Sequence, residues 1–240
     1  VYDFLDVELG VRFLTAEVNH VPLQPVLKVP MESRVFAPKI ERRTIWSDLG
    51  GESKLRNRMN GAEFYLISSK LGGVKWVGPK THTFFSLVAP DKYFDEHPEY
   101  FSEIDGVRYR DYTGIVTQLC LTNPDVIRIA TETAMGWLGP QVKANPYNKY
   151  VVSVTVNDSR WHCKCENCLA VNKEEGVVEG GTNIRFVNAI ATRLAEAYPA
   201  VSVEMMLYAG IKMPEKTKPV SNVIIQLVHD PDWRYALDDP

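Results

Sequence analysis

The chain of 240 residues lacks the features that mark membrane-spanning and nucleic-acid-binding proteins. Its longest apolar runs, such as YVVSVTV and NVIIQLV, are far shorter than the roughly 20 residues that cross a bilayer. It has no polybasic block, and its net charge of −3 does not favour binding to a negatively charged phosphate backbone. Nucleic acid is therefore disfavoured as a partner, and no membrane span is expected in this segment.

No signal peptide is recognisable, but the chain opens at Val1 without Met, so its start says nothing about export. Its first residues are typical of the interior of an element, so we expect a portion of a longer polypeptide that carries further domains. The 45% of hydrophobic and 24% of charged residues are ordinary for a soluble core. The length allows one large α/β domain or two small ones.

Residues 1–38 are predicted to be the tail of one unit and a linker. A short helix is indicated by apolar residues on one face and a glycine suited to end it: Val1, Phe4, Leu5, Leu9 and Gly10. From Pro22 to Pro38, Val, Leu and Pro alternate without a helical period, which is typical of an extended crossing. We place a domain boundary near Pro38, so that residues 39–240 form the second domain.

After this boundary, strand-like segments alternate with helix-like segments or long crossovers. Six strands are predicted at Glu41–Trp46, Val74–Phe85, Ile115–Leu121, Tyr150–Val156, Val201–Tyr208 and Asn222–Val228. Such connections require a mostly parallel sheet, because parallel neighbours cannot be joined by hairpins. An incomplete (β/α)8 TIM-type barrel of about six β/α units fits best, and an open doubly wound sheet is second.

Three helices are predicted between these strands. The first covers Ser53–Lys70. The second begins at Asn123-Pro124-Asp125, which supplies an N-cap, a Pro at the first helical position and an acid in the first turn, and Gly139-Pro140 is predicted to end it. The third is capped by Thr182-Asn183 and has an apolar stripe that consists of Ile184, Val187, Ile190, Ala191, Leu194 and Tyr198.

Alternation within the fourth predicted strand indicates which face points into the barrel. One face carries valines, and the other carries Ser153, Thr155 and Asn157. A helix-covered outer face should be apolar, so the polar face is expected inside. Asn157, Tyr208 and Asp230 would then converge at the mouth of the barrel, at the carboxyl ends of the strands.

Several segments together resemble an uncharacterised domain family of bacterial carbohydrate-active proteins: YDFLDVELGVRFLT, RNRMNG, HTFFSLVAPDKYFDEHPEYFSEIDG, QLCLTNPDV and VNDSRWHCKCENC. The resemblance covers nearly the whole chain. It implies a barrel similar to those of α-glucuronidases and β-hexosaminidases, preceded by a small α/β module that ends in Tyr2–Thr15. Where hexosaminidases carry an adjacent Asp-Glu pair after the fourth strand, this chain has Asn157-Asp158.

Glycosidic cleavage needs a carboxylic acid to protonate the leaving oxygen and, in general, a second carboxylate. Asp158, at the end of the fourth strand, is the first candidate, and Asn157 would orient it or a sugar hydroxyl; both residues are also ordinary turn formers. Asp230, Glu166 and Glu204 are candidates for the second carboxylate. Glu204, four residues before the end of its strand, is expected to lie too deep.

Four residues are candidates for substrate binding. His82 follows the second predicted strand and could bond a hydroxyl or a carboxylate, or it could be a core histidine. Trp161 and Tyr208 could stack on a sugar ring. Arg43 offers a guanidinium fork for a uronic acid, although intramolecular ion pairs are the commoner use of such residues. A compact aromatic loop around His97 is either self-packed, which is favoured, or a cover over substrate.

All four cysteines are candidates for one cluster: Cys120, Cys163, Cys165 and Cys168. Four thiolates can close a tetrahedral zinc site, and two disulfides would pin the same loop in an exported protein. The sequence leaves both readings open. Neither makes the cluster catalytic, because four sulfur ligands leave zinc no position for water.

The sequence therefore predicts a glycoside-hydrolase-like domain that hydrolyses or binds an oligosaccharide or polysaccharide at the carboxyl ends of its strands. A non-catalytic glycan-binding or scaffold barrel is the alternative, and a zinc-dependent hydrolase that uses the cysteine loop is a second rival. No cofactor is required beyond the structural zinc considered above. Export from a bacterium is expected from the resemblance.

Overall fold

The computed structural model describes residues 1–29, 31–33, 35, 39–40, 43–45, 50–62 and 75–228. The chain divides into two compact units, Val1–Lys75 and Trp76–Pro240. The domain boundary expected near Pro38 stays a prediction, and Pro38 itself lies outside the described residues.

The first unit is a small mixture of short helices and strands. Its elements are α1 (Tyr2–Val7), β1 (Arg12–Phe13), β2 (Asn19–His20), β3 (Thr44–Ile45), α2 (Gly51–Arg56) and β4 (Gly61–Ala62). β1 pairs with β2 in an antiparallel hairpin, and β3 pairs with β4 in parallel. Gly10 follows α1 with a φ of 69°, the left-handed backbone that only glycine adopts without strain.

Two predictions for this unit are met only in part. The strand expected at Glu41–Trp46 covers Thr44–Ile45, and its end residues lie outside the described part. The helix expected at Ser53–Lys70 ends at Arg56, and Gly61–Ala62 is a strand; residues 63–70 are outside the described part. The glycine at position 61, with its low helix propensity, is consistent with this early end.

The second unit begins with one strand and a long, irregular connection. It contains β5 (Lys75–Val77), α3 (Phe84–Leu87), α4 (Pro90–Tyr93), β6 (Glu103–Ile104), β7 (Val107–Arg108), β8 (Asp111–Tyr112) and β9 (Ile115–Val116). β6 and β7 form one antiparallel hairpin, and β8 and β9 form another.

The remaining elements supply the main helices and strands: α5 (Pro124–Ala144), β10 (Tyr150–Ser153), α6 (Glu166–Glu174), α7 (Gly181–Ala197), β11 (Val201–Leu207) and β12 (Val223–Leu227). The second unit is thus a mixed α/β fold in which a parallel four-stranded sheet, ordered β12-β11-β10-β5, is flanked by helices. The described residues form no closed barrel. None of their helices is both long and apolar enough to pass through a bilayer.

The sheet corrects two predicted strands. The strand expected at Val74–Phe85 ends at Val77, and Phe84 opens a helix instead. The strand expected at Ile115–Leu121 does not join the four-stranded sheet, because β10 pairs directly with β5. Its first residues turn back as β9, and Leu119 makes only an isolated antiparallel bridge to Phe101.

Both faces of β10 are buried, but with different partners. Val152 and Val154 are 0% and 1% exposed and belong to the large apolar core that contains Phe186 and Val187 of α7. On the other face, Ser153 donates to the Lys80 carbonyl. The polar face is thus buried and hydrogen-bonded, and its orientation into a barrel stays a prediction.

Helix α5 differs from its prediction at its end. The Asn123 side chain caps it by accepting from the amides of Asp125 and Val126 at 2.9 and 3.4 Å. The helix then runs through Pro140 to Ala144 rather than stopping there.

Helix α7 carries the predicted stripe, since Ile184, Val187, Ile190, Ala191 and Leu194 are all fully buried. Its N-cap is Gly180, however, and Thr182-Asn183 lies inside the first turn. A Cβ at Gly180 would lie 2.0 Å from the Lys212 carbonyl oxygen, and the residue has a φ of 127°. Only glycine fits this position, because the backbone after β11 passes directly over it.

Candidate functional site

Three side chains meet beyond the carboxyl ends of neighbouring parallel strands. The Tyr208 hydroxyl, which follows β11, donates to Asp158 Oδ1 at 2.7 Å. The ring of His82 lies 5.8 Å from the ring of Tyr208, centroid to centroid, and its Nδ1 is 2.8 Å from the Val156 carbonyl oxygen. Asp158 is exposed, and His82 and Tyr208 are half-buried. A carboxylate and two aromatic rings are thus presented together at the end of the sheet, where α/β proteins place their sites.

The backbone around Asp158 is held by a residue that the sequence did not single out. Gln118 is 1% exposed. Its Nε2 donates to the carbonyls of Asn157 and Ser159 at 2.9 and 2.8 Å, and its Oε1 accepts from the Asn157 amide at 2.9 Å. These three hydrogen bonds bracket Asp158 and hold the backbone on both sides of it.

Asn157 is buried beyond the end of β10 and hydrogen-bonds to the backbone of a neighbouring segment. It is 3% exposed, and its side-chain amide donates to the Thr117 carbonyl at 2.8 Å. Its side chain thus ties the end of β10 to the connection before α5. Orientation of a sugar hydroxyl by Asn157 stays a prediction.

The other predicted residues are spread more widely. Trp161 is half-buried and packs edge-on against Tyr112 at 4.8 Å. Glu166 is exposed in the first turn of α6. Arg43 lies in the first unit, where it donates to the carbonyls of Arg58 and Ile40. Asp230 lies outside the described residues.

The carboxyl groups of Glu204 and Glu179 are wholly or partly shielded from solvent, unlike most carboxyl groups of a protein. Glu204 on β11 is fully buried, and its Oε2 accepts from the Trp76 indole at 3.2 Å, which agrees with the expectation that it lies too deep. Glu179 was not predicted as a site residue. Burial raises the pKa of its carboxyl group to about 7, although the positive charge of Lys164 and a hydrogen bond from Asn172 both act to lower it. Glu179 lies just before α7, and its carbonyl accepts from the Lys212 amide in the segment that follows Tyr208. Its loop position gave no sequence signal.

The aromatic loop around His97 packs on itself. The His97 ring stacks on Tyr100 at 4.7 Å with an interplanar angle of 5°, and Phe94 packs against Phe101 at 5.3 Å. Tyr100 and Phe101 are buried. This geometry agrees with the favoured reading of a self-packed loop.

All four cysteines meet in one buried cluster, called the cysteine cluster below: Cys120, Cys163, Cys165 and Cys168. Their sulfur atoms all lie within 4.8 Å of one another, and none is in a disulfide. Cys120 Sγ is 3.7 Å from Cys165 Sγ and 3.8 Å from Cys168 Sγ. Such a group could bind a metal.

Two neighbouring groups donate to sulfur in the cysteine cluster, and the thiols shift one another's ionisation, so that Cys120 is the one most readily deprotonated. The Glu103 amide and the Arg108 guanidinium point at Cys163 Sγ, with distances of 3.3 and 3.4 Å. Hydrogen bonds with Cys163 and then with Cys168 hold the pKa of Cys120 far below its usual range, and the contact with Cys120 raises the pKa of Cys163 to about 12.

Comparisons with known proteins give one match. A family model described as "Domain of unknown function (DUF4838)" matches residues 13–238. No curated protein and no solved structure matches the chain.

Proposed function

Since the chain belongs to the family Domain of unknown function (DUF4838), we propose a function from its own site: it is a glycoside-hydrolase-like domain that acts on glycans at the carboxyl ends of its sheet. The observation that carries this proposal is the hydrogen bond from Tyr208 to an exposed Asp158, beside the His82 ring. A carboxylate next to aromatic faces suits a sugar, which offers hydroxyl groups on its edge and C–H groups on its face.

The order of the strands supports the barrel that goes with this function. β5, β10, β11 and β12 follow one another across the sheet in chain order, as strands of a (β/α) barrel do, whereas a doubly wound sheet reverses its order at a switch point. The segment Ile115–Leu121 does not join the sheet. We therefore propose that this chain supplies one barrel strand fewer than the six that were predicted.

In this proposal Asp158 is a catalytic carboxylate, and Tyr208 orients it through the 2.7 Å hydrogen bond. Glu179 is our choice for the general acid, because its backbone is tied to the segment that follows Tyr208 through the Lys212 amide. Burial also raises the pKa of its carboxyl group, which suits a donor of a proton to the leaving oxygen. No cofactor takes part in these steps. The substrate is an oligosaccharide or polysaccharide that an exported bacterial protein would meet.

The test is a screen of the purified protein on uronic-acid and N-acetylhexosamine glycosides, together with Asp158→Asn and Glu179→Gln. We expect one glycoside class to be cleaved, and each variant to be slower by about 100-fold or more, the range that general acid–base groups contribute. Asp91→Asn, which changes an exposed carboxylate of the same unit, should keep wild-type activity. Equal turnover by wild type and Asp158→Asn would remove Asp158 from the mechanism.

The alternative is a non-catalytic glycan-binding domain. It is favoured by the pair of a half-buried Tyr208 and an exposed Asp158, which can bind a sugar without a second carboxylate. Calorimetric binding of an oligosaccharide, lost in Tyr208→Ala, combined with no turnover of any glycoside in the screen, would support this alternative over hydrolysis.

A further inference from the structure

We propose that the cysteine cluster binds one structural zinc ion, and that this ion joins the connection before α5 to the loop that carries Asp158. The inference concerns a metal and its protein ligands, so it does not depend on which glycan the domain recognises. The inference also chooses zinc over two disulfides, the two alternatives that the sequence left open for the four cysteines.

The spacing of the sulfur atoms matches a tetrahedral zinc centre. With Zn–S bonds of about 2.3 Å, the edges of a tetrathiolate tetrahedron are about 3.8 Å long. Cys120 Sγ lies 3.7 Å from Cys165 Sγ and 3.8 Å from Cys168 Sγ. All four sulfur atoms fall within 4.8 Å of one another, so one ion at the centre can reach every ligand with small adjustments.

The arrangement is a poor fit to two disulfides. A disulfide separates its sulfur atoms by about 2.05 Å, whereas Cys120 is about equally distant from two partners. A paired set would place each sulfur close to one partner and away from the others. Here all four sulfur atoms lie within 4.8 Å of one another, which suits one shared metal ion.

The groups around the sulfur atoms suit the charge of the bound form. A zinc ion with four thiolates carries a net charge of −2, which needs compensation when it is buried. The Arg108 guanidinium and the Glu103 amide donate to Cys163 Sγ. Thr122 Oγ1 is 3.2 Å from Cys168 Sγ and can donate to it in the same way. Donors thus reach the cluster from both β6–β7 and the segment before α5.

The proposed zinc ion has a structural role and not a catalytic one. Four sulfur ligands leave no open position for water, which argues against a zinc-dependent hydrolase at this cluster. Cys120 lies two residues after Gln118, which brackets Asp158, and Cys163 lies five residues after Asp158. The ion therefore closes a loop around the candidate site and holds both of its ends.

The experiment measures metal and thiols in the purified protein. Elemental analysis after extensive dialysis should find one zinc per chain and no stoichiometric iron. Alkylation of the denatured protein with chelator but without reductant should modify four thiols, as the mass shift shows. Replacement of zinc by Co²⁺ should give the intense visible absorption of a tetrahedral cobalt thiolate.

Variants separate loss of ligands from loss of fold. Cys163→Ser and Cys168→Ser should each reduce bound zinc to well below one per chain. Asn222→Ala removes hydrogen bonds to the carbonyls of Ala191 and Val201, so it weakens the fold without touching the cluster, and it should keep one zinc. Asp158→Asn should also keep one zinc, whether or not it affects glycan turnover.

Two outcomes would overturn the proposal. A metal-free protein whose cysteines resist alkylation until a reductant is added would show disulfides. A stoichiometric iron content, with the colour of an iron thiolate, would show that the cluster selects another metal. Because both readouts use the wild-type protein, they remain decisive even if the serine variants fail to fold.

Discussion

At the scale of single residues, the geometry of the candidate site depends on a glutamine that hydrogen-bonds to the backbone beside Asp158. Gln118 is buried and makes three hydrogen bonds to the backbone of Asn157 and Ser159. An amide side chain can do this because it offers donors and an acceptor in one plane. The backbone on both sides of the exposed Asp158 is thus held in place by Gln118.

We predict that Gln118→Leu loosens this segment. Its free energy of unfolding should fall by about 2 kcal/mol or more, because each buried polar group left unsatisfied costs about 1–3 kcal/mol. Hydrogen exchange should accelerate in peptides that cover residues 157–161, while peptides of α7 keep their protection. Gln24→Leu, which changes an exposed glutamine in the first unit, should stay within about 0.5 kcal/mol of wild type. Unchanged exchange at residues 157–161 would contradict the assigned role of Gln118.

At the scale of elements, α5 continues past a local stop signal, and a residue just after the helix hydrogen-bonds to its end. Gly139-Pro140 predicted the end of the helix, yet it continues to Ala144. The hydroxyl of Tyr150 donates to the carbonyls of Gln141 and Asn145 at 2.7 and 2.8 Å. These contacts satisfy carbonyl groups at the helix end, and the fully buried Leu138 anchors the turn before them.

The start of α5, by contrast, follows local chemistry, and Asn123→Ala tests it. The variant loses the acceptor for the amides of Asp125 and Val126, and we expect a loss of about 1 kcal/mol of unfolding free energy. Chemical denaturation followed by circular dichroism measures it. Asn123→Asp keeps an acceptor at the same place and should cost much less. If both variants lose the same amount, the cap is not the source of the stability.

The predicted second and third strands were longer than the strands that form. β-branched and aromatic residues in Val74–Phe85 and Ile115–Leu121 favour extended backbone, but a strand also needs a neighbour with free hydrogen-bonding groups. Of the second, Lys75–Val77 forms β5 and pairs with β10, whereas the segment from 115 stays outside the four-stranded sheet. It pairs locally in the β8–β9 hairpin and then leads to Gln118 and Cys120.

At the scale of the whole molecule, two nearby carboxyl groups give the stability opposite dependences on pH. Hydrogen bonds from Thr217, aided by Arg185, outweigh burial and lower the pKa of Glu175 to about 2. The stability from Glu175 is therefore present above its ordinary pKa of 4.5 and is lost as the pH falls towards 2. Burial instead raises the pKa of Glu179 to about 7, so its contribution is present below pH 4.5 and is lost as the pH rises through 7.

We predict that Glu179→Gln removes the decline in stability between pH 4.5 and pH 7 that Glu179 causes. The denaturation midpoint of the variant should increase relative to that of wild type as the pH rises through this range. The difference should be largest above pH 7. Glu175→Gln is the matched control, because it should reduce the acid-side loss instead and leave the slope above pH 4.5 as in wild type. A constant difference between Glu179→Gln and wild type at all these pH values would contradict the prediction.

The sequence alone determined the features that depend on local pattern. The stripe of α7, the cap of α5 and the fourth, fifth and sixth predicted strands are confirmed as elements, and the four cysteines were recognised as one cluster. These succeed because periodicity, capping and spacing are properties of neighbouring residues. The sequence also placed Asp158, Tyr208 and His82 at strand ends, where the fold brings them together.

Only the tertiary structure decided the rest, because those features join residues that are far apart in the chain. The pairing of β10 with β5, the hydrogen bonds of Gln118 to a segment about 40 residues away, and the burial that shifts the pKa of Glu179 leave no local mark in the sequence. The approach of four sulfur atoms to within 4.8 Å of one another is likewise a property of folded loops. A pattern of residues can name the ligands, but only packing sets the distances between them.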